Sequence, residues 1–314
     1  MANIQTTQQK SLKPVQAKFS VFMSQENIKA LVQQSVGKNA QSFTTAVISA
    51  VSNNPELEKC TQKTVLAACL LGESLKLSPS PQLGQYYLVP FNKKDRNGEI
   101  IETLAVFVLG AKGYKQLAMR TGQYLDIDVL EIKEGEYKGR DKMTGKQRFE
   151  FIEDDDEREA LPTVGYMAYF ELLNGFRKVV YWTKKKMLKH ADTYSPAFRA
   201  DKYEDYVSGK IPKNEMYKYS SYWYKNFTEM ASKTLIRHLL SQWGIMSIDM
   251  QNAIIADDKI INEDGTPSFV DIPQETTPEL PSGEVQQDVA ESDAPTVEEQ
   301  EQFDFFGADV EDKK

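Results

Sequence analysis

The chain is short of the residues from which catalytic and metal centres are usually built. In 314 residues it has two histidines, His190 and His238, and two cysteines, Cys60 and Cys69. Two cysteines make neither a disulfide framework nor a four-ligand zinc site. Both fall in an apolar stretch of helical character, where a buried thiol is the ordinary state. No run of about 18 apolar residues occurs, so no membrane span is expected. The opening residues, MANIQTTQQKSLKPVQ, lack the apolar core of a secretion signal. With so little cysteine, this predicts a protein of the reducing cytoplasm. No G-x-x-x-x-G-K-[ST] loop is present to hold ATP, and no Ser/His/Asp or Cys/His arrangement stands out to activate a nucleophile. The sequence therefore nominates no catalytic residue, no metal ligand and no cofactor.

Charge is plentiful but unevenly spread. The whole chain has 38 basic and 46 acidic side chains, a net of −8. Residues 257–314 hold 18 acidic and 3 basic residues, a net of −15, whereas residues 1–256 are net +7. Composition thus divides the chain into a basic, flexible arm over 1–22, an ordered core over 23–256 and an acidic tail over 257–314. The tail is rich in Pro, Ser and Thr and has too little apolar surface to offset its ordering entropy, so disorder is predicted. Phe303, Phe305 and Phe306 stand out in it as a short docking motif.

Within the core the hydrophobic period changes along the chain. Helical spacing covers 25–36, 40–51 and 64–77, where Pro79 and Pro81 end it. Strand patterning covers 85–91 and 100–109, joined through a turn ending in Asn97-Gly98. A helix over 111–120 lies between Gly110 and Gly122. Strands follow at 125–132, 148–152, 163–173 and 176–183, the last pair joined by Asn174-Gly175. Helices at 184–191 and 222–242 close the core. This order predicts an α+β fold, with an antiparallel sheet and β-hairpins packed against helices.

Basic and aromatic residues interleave at several places in this layout. The first hairpin tip carries Lys93, Lys94 and Arg96, and a later one Lys138, Arg140, Lys142 and Lys146. The stretch FRKVVYWTKKKMLKH at 176–190 sets Arg177, Lys178, Lys184, Lys185 and Lys186 around Trp182. Cations neutralise phosphates without regard to sequence, and aromatic faces stack on unpaired bases. Trp182 alone reads as core; the cluster as a whole reads as a phosphate-binding surface. On the last helix, at about 100° per residue, Lys225, Lys233 and Arg237 share one side, opposite an apolar stripe. Ile236 falls on the basic side and is a candidate contact. Gly110-Ala111-Lys112-Gly113, between a strand and a helix, is either an ordinary turn or a place where helix N-terminal amides meet a phosphate. The acidic run at 153–157 invites a metal-nuclease reading. Contiguous carboxylates on an extended loop point alternately, whereas two-metal chemistry needs convergent ligands.

Four stretches in order resemble one family. They are Tyr87-Leu88-Val89-Pro90-Phe91, LGAKGYKQLAMRTGQY at 109–124, VGYMAYFELLNGFRKVVYWTK at 164–184 and FTEMASKTLIRHLLSQWGIMS at 227–247. Over residues 64–258 the chain is similar to the RecT family of phage and prophage recombinases, the single-strand annealing proteins. The resemblance implies an ATP-independent protein of the bacterial host cytoplasm that binds single-stranded DNA and pairs it with its complement. It implies rings or helical filaments, with DNA and the annealed duplex intermediate in a positively charged groove. A phage exonuclease that makes 3′ single-stranded ends is the implied partner, and a divalent cation at most modulates. Carried across, the DNA-binding motif residues are Lys112, Tyr114, Lys115 and Arg120, then Arg177, Lys178 and Lys184, then Lys233 and Arg237. Ala111 stands where many relatives carry Tyr, and residues 194–214 form a long insert without a clear counterpart. The alternative function is a passive single-stranded DNA-binding or loading module that does not anneal. The tail is expected either to compete with DNA for the core or to dock the exonuclease or the host single-stranded DNA-binding protein.

Overall fold

The computed structural model describes residues 18–95, 97–262 and 264–268. Arg96, Phe303, Phe305, Phe306 and nearly all of the basic arm lie outside the described residues. The chain begins with helices α1 (Phe19–Met23), α2 (Glu26–Val36), α3 (Ala40–Ser52) and α4 (Gln62–Ser74). Strands β1 (Tyr86–Lys94) and β2 (Ile100–Leu109) then form a hairpin, followed by α5 (Ala111–Arg120). Next come β3 (Tyr124–Lys133), the small hairpin β4 (Tyr137–Arg140) and β5 (Gln147–Phe149), and α6 (Asp155–Ala160). A second long hairpin, β6 (Thr163–Leu172) and β7 (Arg177–Thr183), leads into α7 (Lys184–Tyr194) and α8 (Tyr203–Val207). Helices α9 (Tyr222–Lys225), α10 (Phe227–Trp243) and α11 (Ile248–Ala256) precede the short strands β8 (Lys259–Ile261) and β9 (Pro267–Ser268).

The α+β class predicted from the sequence is the class observed. Among the described residues the strands form three antiparallel sheets rather than one: β1-β2-β8-β9, β3-β6-β7 and β4-β5. Both long hairpins turn where Asn-Gly predicts. Gly98 and Gly175 have φ of 81° and 83°, a region open mainly to glycine. The carboxylate of Asp95 accepts from the amides of Asn97 and Glu99, and Asn174 accepts from the amide of Phe176.

Helix α10 lies at the centre. Its Leu235, Ile236, Leu239 and Leu240 are all fully buried, and it packs on α5 and on β3, β6 and β7. Four such side chains are worth roughly 6–12 kcal/mol of apolar transfer, so α10 organises both halves of the core. Ile236 is therefore a core residue and not a surface contact. The helix predicted over 222–242 is also two helices. Asn226, at φ −138° and ψ 60°, breaks it, so a wheel started at Lys225 has the wrong phase for α10.

Both ends of the predicted core move. The flexible arm expected over 1–22 stops sooner, because Phe19, Phe22 and Met23 of α1 are buried. The break expected at 257 falls inside the fold: β8 pairs with β2 through Val106↔Ile260, and Ile260 and Ile261 are buried. The long insert at 194–214 contributes side chains to the core. Phe198 and Tyr203 are buried and pack against Tyr224 and Phe227, with ring centroids 4.6 and 4.8 Å apart.

The start of α5 lies against the β1 entry strand. A Cβ on Gly113 stands 2.1 Å from the Gln85 carbonyl oxygen, and one on Gly110 stands 2.2 Å from that of Gly84. Close backbone approach accounts for this glycine spacing without a phosphate. Gly113→Ala is expected to lift α5 from β1 and destabilise the fold by about 1–3 kcal/mol, read as a lower urea midpoint. An unchanged midpoint contradicts the contact.

Candidate nucleic-acid interface

The basic residues nominated from the sequence fall into two groups, those spent on the fold and those facing solvent. The first group meets at Asp257, whose side chain is completely buried. Its carboxylate accepts from the Leu109 amide at 2.7 Å and from the Tyr114 hydroxyl at 2.6 Å. Lys233 Nζ lies 3.0 Å away and Arg237 Nη1 3.4 Å. Asp258, at φ 62°, reaches back to the same two cations at 2.8 and 3.1 Å, and its amide donates to Phe107 O. Burial pulls the Lys233 ammonium towards neutrality, but the two carboxylates outweigh it and hold its pKa above the ordinary value. Burial, and then Asp257, push the Tyr114 phenol well up. Tyr114 and Lys233 are thus interior residues and not DNA contacts as expected, and Arg237 is committed to the two aspartates. Two residues read as the start of an acidic tail supply the carboxylates.

Three more of the expected contacts have internal partners. Lys115 pairs with Asp128 of β3. Arg120 donates to the carbonyls of Leu75 and Lys76 at 2.6 and 2.7 Å, closing the chain that leaves α4. Arg177 forks onto Glu171 at 2.8 and 2.9 Å, though it is largely exposed. Exposed pairs of this kind are weak, so Arg177 stays available to a competing phosphate. Trp182 is buried, as its reading in isolation predicts.

The second group marks the surface that can meet a polyanion. Lys93 and Lys94 at the end of β1 are exposed, as are Lys112, Lys185, Lys186 and Lys225. Thr183 caps α7 by accepting from the Lys186 amide at 3.1 Å, so the first turn of α7 presents three successive lysines. Lys186 Nζ sits 4.1 Å above the Trp182 ring, Lys178 Nζ 4.3 Å above Trp243, and Lys184 Nζ 5.7 Å from the Tyr203 centroid. Cation–π contact holds each ammonium by its aromatic face without neutralising its charge. That differs from the salt bridges of the first group.

A cleft of about 360 Å³ opens beside the N-terminus of α5, lined by Tyr87, Gly110, Lys112, Lys115, Tyr222 and Glu229 among others. It joins aromatic walls to an exposed lysine and to the end of a helix dipole, which favours anions. A larger, open groove of about 1100 Å³ runs between α3, α4 and residues 76–79. Among the described residues that line it, Lys76 beside Glu73 is the one cation, so it lacks the character of a phosphate site. The acidic run that invited a nuclease reading is a helix start and not an extended loop. Asp154 caps α6, accepting from the Glu157 amide at 2.9 Å, and Asp155 to Glu157 occupy its first turn, where negative charge is favoured. Both cysteines are buried, and burial pushes their thiols up to about 12, so they are poor nucleophiles at neutral pH. The two histidines, His190 and His238, both lie at the β7–α7–α10 junction against Trp182.

With Lys233, Arg237, Lys115 and Arg120 held by internal partners, the exposed lysines give this α+β scaffold a basic surface of the kind that suits a polyanion. A model of the RecT family matches residues 41–273. YqaK, an uncharacterized protein of Bacillus subtilis (strain 168), is 31% identical over 291 residues, which cover 93% of this chain and 88% of that protein. Protein RecT of Escherichia coli (strain K12) is 26% identical over 217 residues, 65% of this chain and 66% of its own length. The chain belongs to the RecT family.

The Asp257 cluster yields a test. Asp257→Asn removes the buried charge that balances Lys233 and is expected to cost about 3–5 kcal/mol, seen as a lower denaturation midpoint. Because the folded Lys233 pKa is raised, the wild-type pairing is fully present below about pH 10.4. It is lost only as pH rises through the folded value. The deficit of the variant is therefore the same at pH 6 and pH 8. A deficit confined to one end of that range contradicts the assignment.

Proposed function

We propose that the protein binds single-stranded DNA through its outer lysines and anneals it to a complementary strand without ATP, acting as an oligomer in the bacterial cytoplasm. Family membership supports a role in recombination by single-strand annealing. The observation that carries the reading is the β7–α7 corner. There Lys178, Lys184 and Lys186 are held on aromatic faces with their charge unspent, and exposed Lys185 lies among them. Lysines held this way contact phosphates and leave base edges free, so the incoming strand is tested by pairing and not by the protein. Once correct pairing forms, the second backbone adds phosphates to the same basic surface. No bound cofactor enters this scheme. A divalent cation acts, if at all, by screening phosphates.

The test is annealing of complementary oligonucleotides without ATP, against a mismatched pair. Acceleration of the matched pair is expected. Binding without acceleration favours the passive single-strand-binding module instead. In Lys185→Glu/Lys186→Glu, two lost phosphate contacts are expected to flatten the slope of log affinity against log salt by about 1.4. An unchanged slope places DNA elsewhere.

We further propose that residues 269–314, with 14 acidic and 2 basic side chains, compete with DNA for these lysines. Phe303, Phe305 and Phe306 are proposed to dock the exonuclease or the host single-stranded DNA-binding protein. Truncation must follow Ser268, because Asp257, Asp258 and β8 belong to the fold. Competition predicts tighter DNA binding by the truncated chain, most visibly at low salt. Unchanged DNA affinity with loss of partner capture leaves docking as the tail's role.

A further inference from the structure

Both histidines of the chain contact one indole. His190 on α7 and His238 on α10 lie against Trp182 of β7, with ring centroids 5.4 and 5.0 Å away. The contacts extend in both directions: His238 meets Trp243 at 6.0 Å, and His190 meets Tyr194 at 4.5 Å. The result is a row of five rings, Trp243–His238–Trp182–His190–Tyr194, on three different elements. Lys178 sits over the first ring and Lys186 over the middle one. The ends are open, with Tyr194 73% and Trp243 38% exposed, and both histidines are half-buried.

We propose that this row is a proton-coupled phosphate site, in which a backbone phosphate of the bound strand seats among Lys178, Lys186, His190 and His238 and each histidine takes up one proton from solvent as it does so. The proposal rests on the single-stranded DNA reading and adds to it the regulation of that surface. The charge around the rings supports it. Burial comes first in keeping His190 neutral, then His238, Lys186 and Arg237, all of which oppose a proton there. For His238 the causes are burial and Lys186. These pressures place both histidines below their ordinary range in the free protein. A phosphodiester between the lysines adds one negative charge that offsets one ammonium, so a proton on either imidazole is opposed less in the bound state than in the free one. It also gives the imidazolium N–H groups a charge-assisted acceptor. A metal ion suits the site badly, because two ammonium groups already stand beside it.

The sign follows from linkage. Where the bound state holds more protons than the free state, affinity rises as pH falls through the bound-state pKa. It levels off once the free-state pKa is passed. Stability of the free fold moves the other way. The unfolded chain takes up the histidine protons more readily, so acid destabilises the free protein below about pH 6.5.

The experiment uses the full-length protein and an oligothymidylate. Affinity is measured by fluorescence anisotropy between about pH 6 and about pH 8. The two histidine Cε1–H resonances, assigned with His190→Gln and His238→Gln, are titrated with and without the oligonucleotide. The expected result is an upward move of both histidine titrations on binding. Affinity is expected to gain about tenfold towards the acid end, one pKa unit being a factor of ten. That gain should be lost in His190→Gln/His238→Gln. Histidine titrations unmoved by bound DNA overturn the proposal, as does a double variant that binds DNA with the wild-type pH slope. The NMR arm reads the wild-type chain, so a poorly folded variant does not decide the matter. Absence of binding at every pH and at low salt instead removes the DNA reading itself.

Discussion

A carboxylate with no access to water must be matched by charge and by hydrogen bonds, and the way Asp257 meets that demand sets the arrangement of everything around it. One oxygen holds the last amide of β2 and the other holds Tyr114 of α5, while Lys233 and Arg237 of α10 supply the positive charge. Elements from three parts of the chain are thus tied to one residue. A buried pair gives little net stability over an apolar substitute, but removing one partner leaves a stranded charge. Here the penalty for a misplaced partner fixes α5 against α10. That in turn fixes the cleft at the start of α5 and the lysine that borders it.

This arrangement divides the cations by depth. Lys233 and Arg237 lie under α5 and answer to the two aspartates, Lys115 answers to Asp128, and Arg120 to two carbonyls. What remains outside includes Lys178, Lys184 and Lys186, which rest on aromatic rings, and the exposed Lys93, Lys94, Lys112, Lys185 and Lys225. Field at the surface comes from these, because a neutralised pair contributes little beyond a few ångströms. Counting basic residues along the sequence therefore overstates the DNA-facing charge of the core and misplaces it.

The sequence made the local structure largely legible, and the reasons can be named. Helix α5 was found to the residue, since Gly110 and Gly122 bracket a clear apolar spacing. The two Asn-Gly turns located both long hairpins. What failed depends on contacts between distant segments. Nothing near Asp257 signals that it folds back to Leu109 and Tyr114 more than a hundred residues away, so its acidic neighbourhood read as tail. The break at Asn226 carries no proline or glycine, so α9 and α10 read as one helix and Ile236 as an exposed residue. His190 and His238 are 48 positions apart and meet only because β7, α7 and α10 converge on Trp182. The stretch at 176–190 is dense in lysine and aromatics, and in the fold its Trp182 is a buried platform beneath Lys186.

A platform of that kind has a consequence for how a strand can be both held and exchanged. Ion pairs with carboxylates would have to break before a phosphate could bind, and would compete with it afterwards. An ammonium resting on an indole face keeps its donors for the incoming anion and loses little when that anion leaves, because the ring restores part of the interaction. Its stem is already ordered, so less rotamer entropy is lost on binding. Annealing needs phosphates gripped firmly enough to display the bases and loosely enough for register to be corrected. Many weak, preorganised lysines meet both demands better than a few strong bidentate contacts. On this view the near-neutral net charge of the described core is no obstacle to DNA binding. Lys233, Arg237, Lys115 and Arg120 are held by partners inside the fold, and the exposed lysines are left to the phosphates.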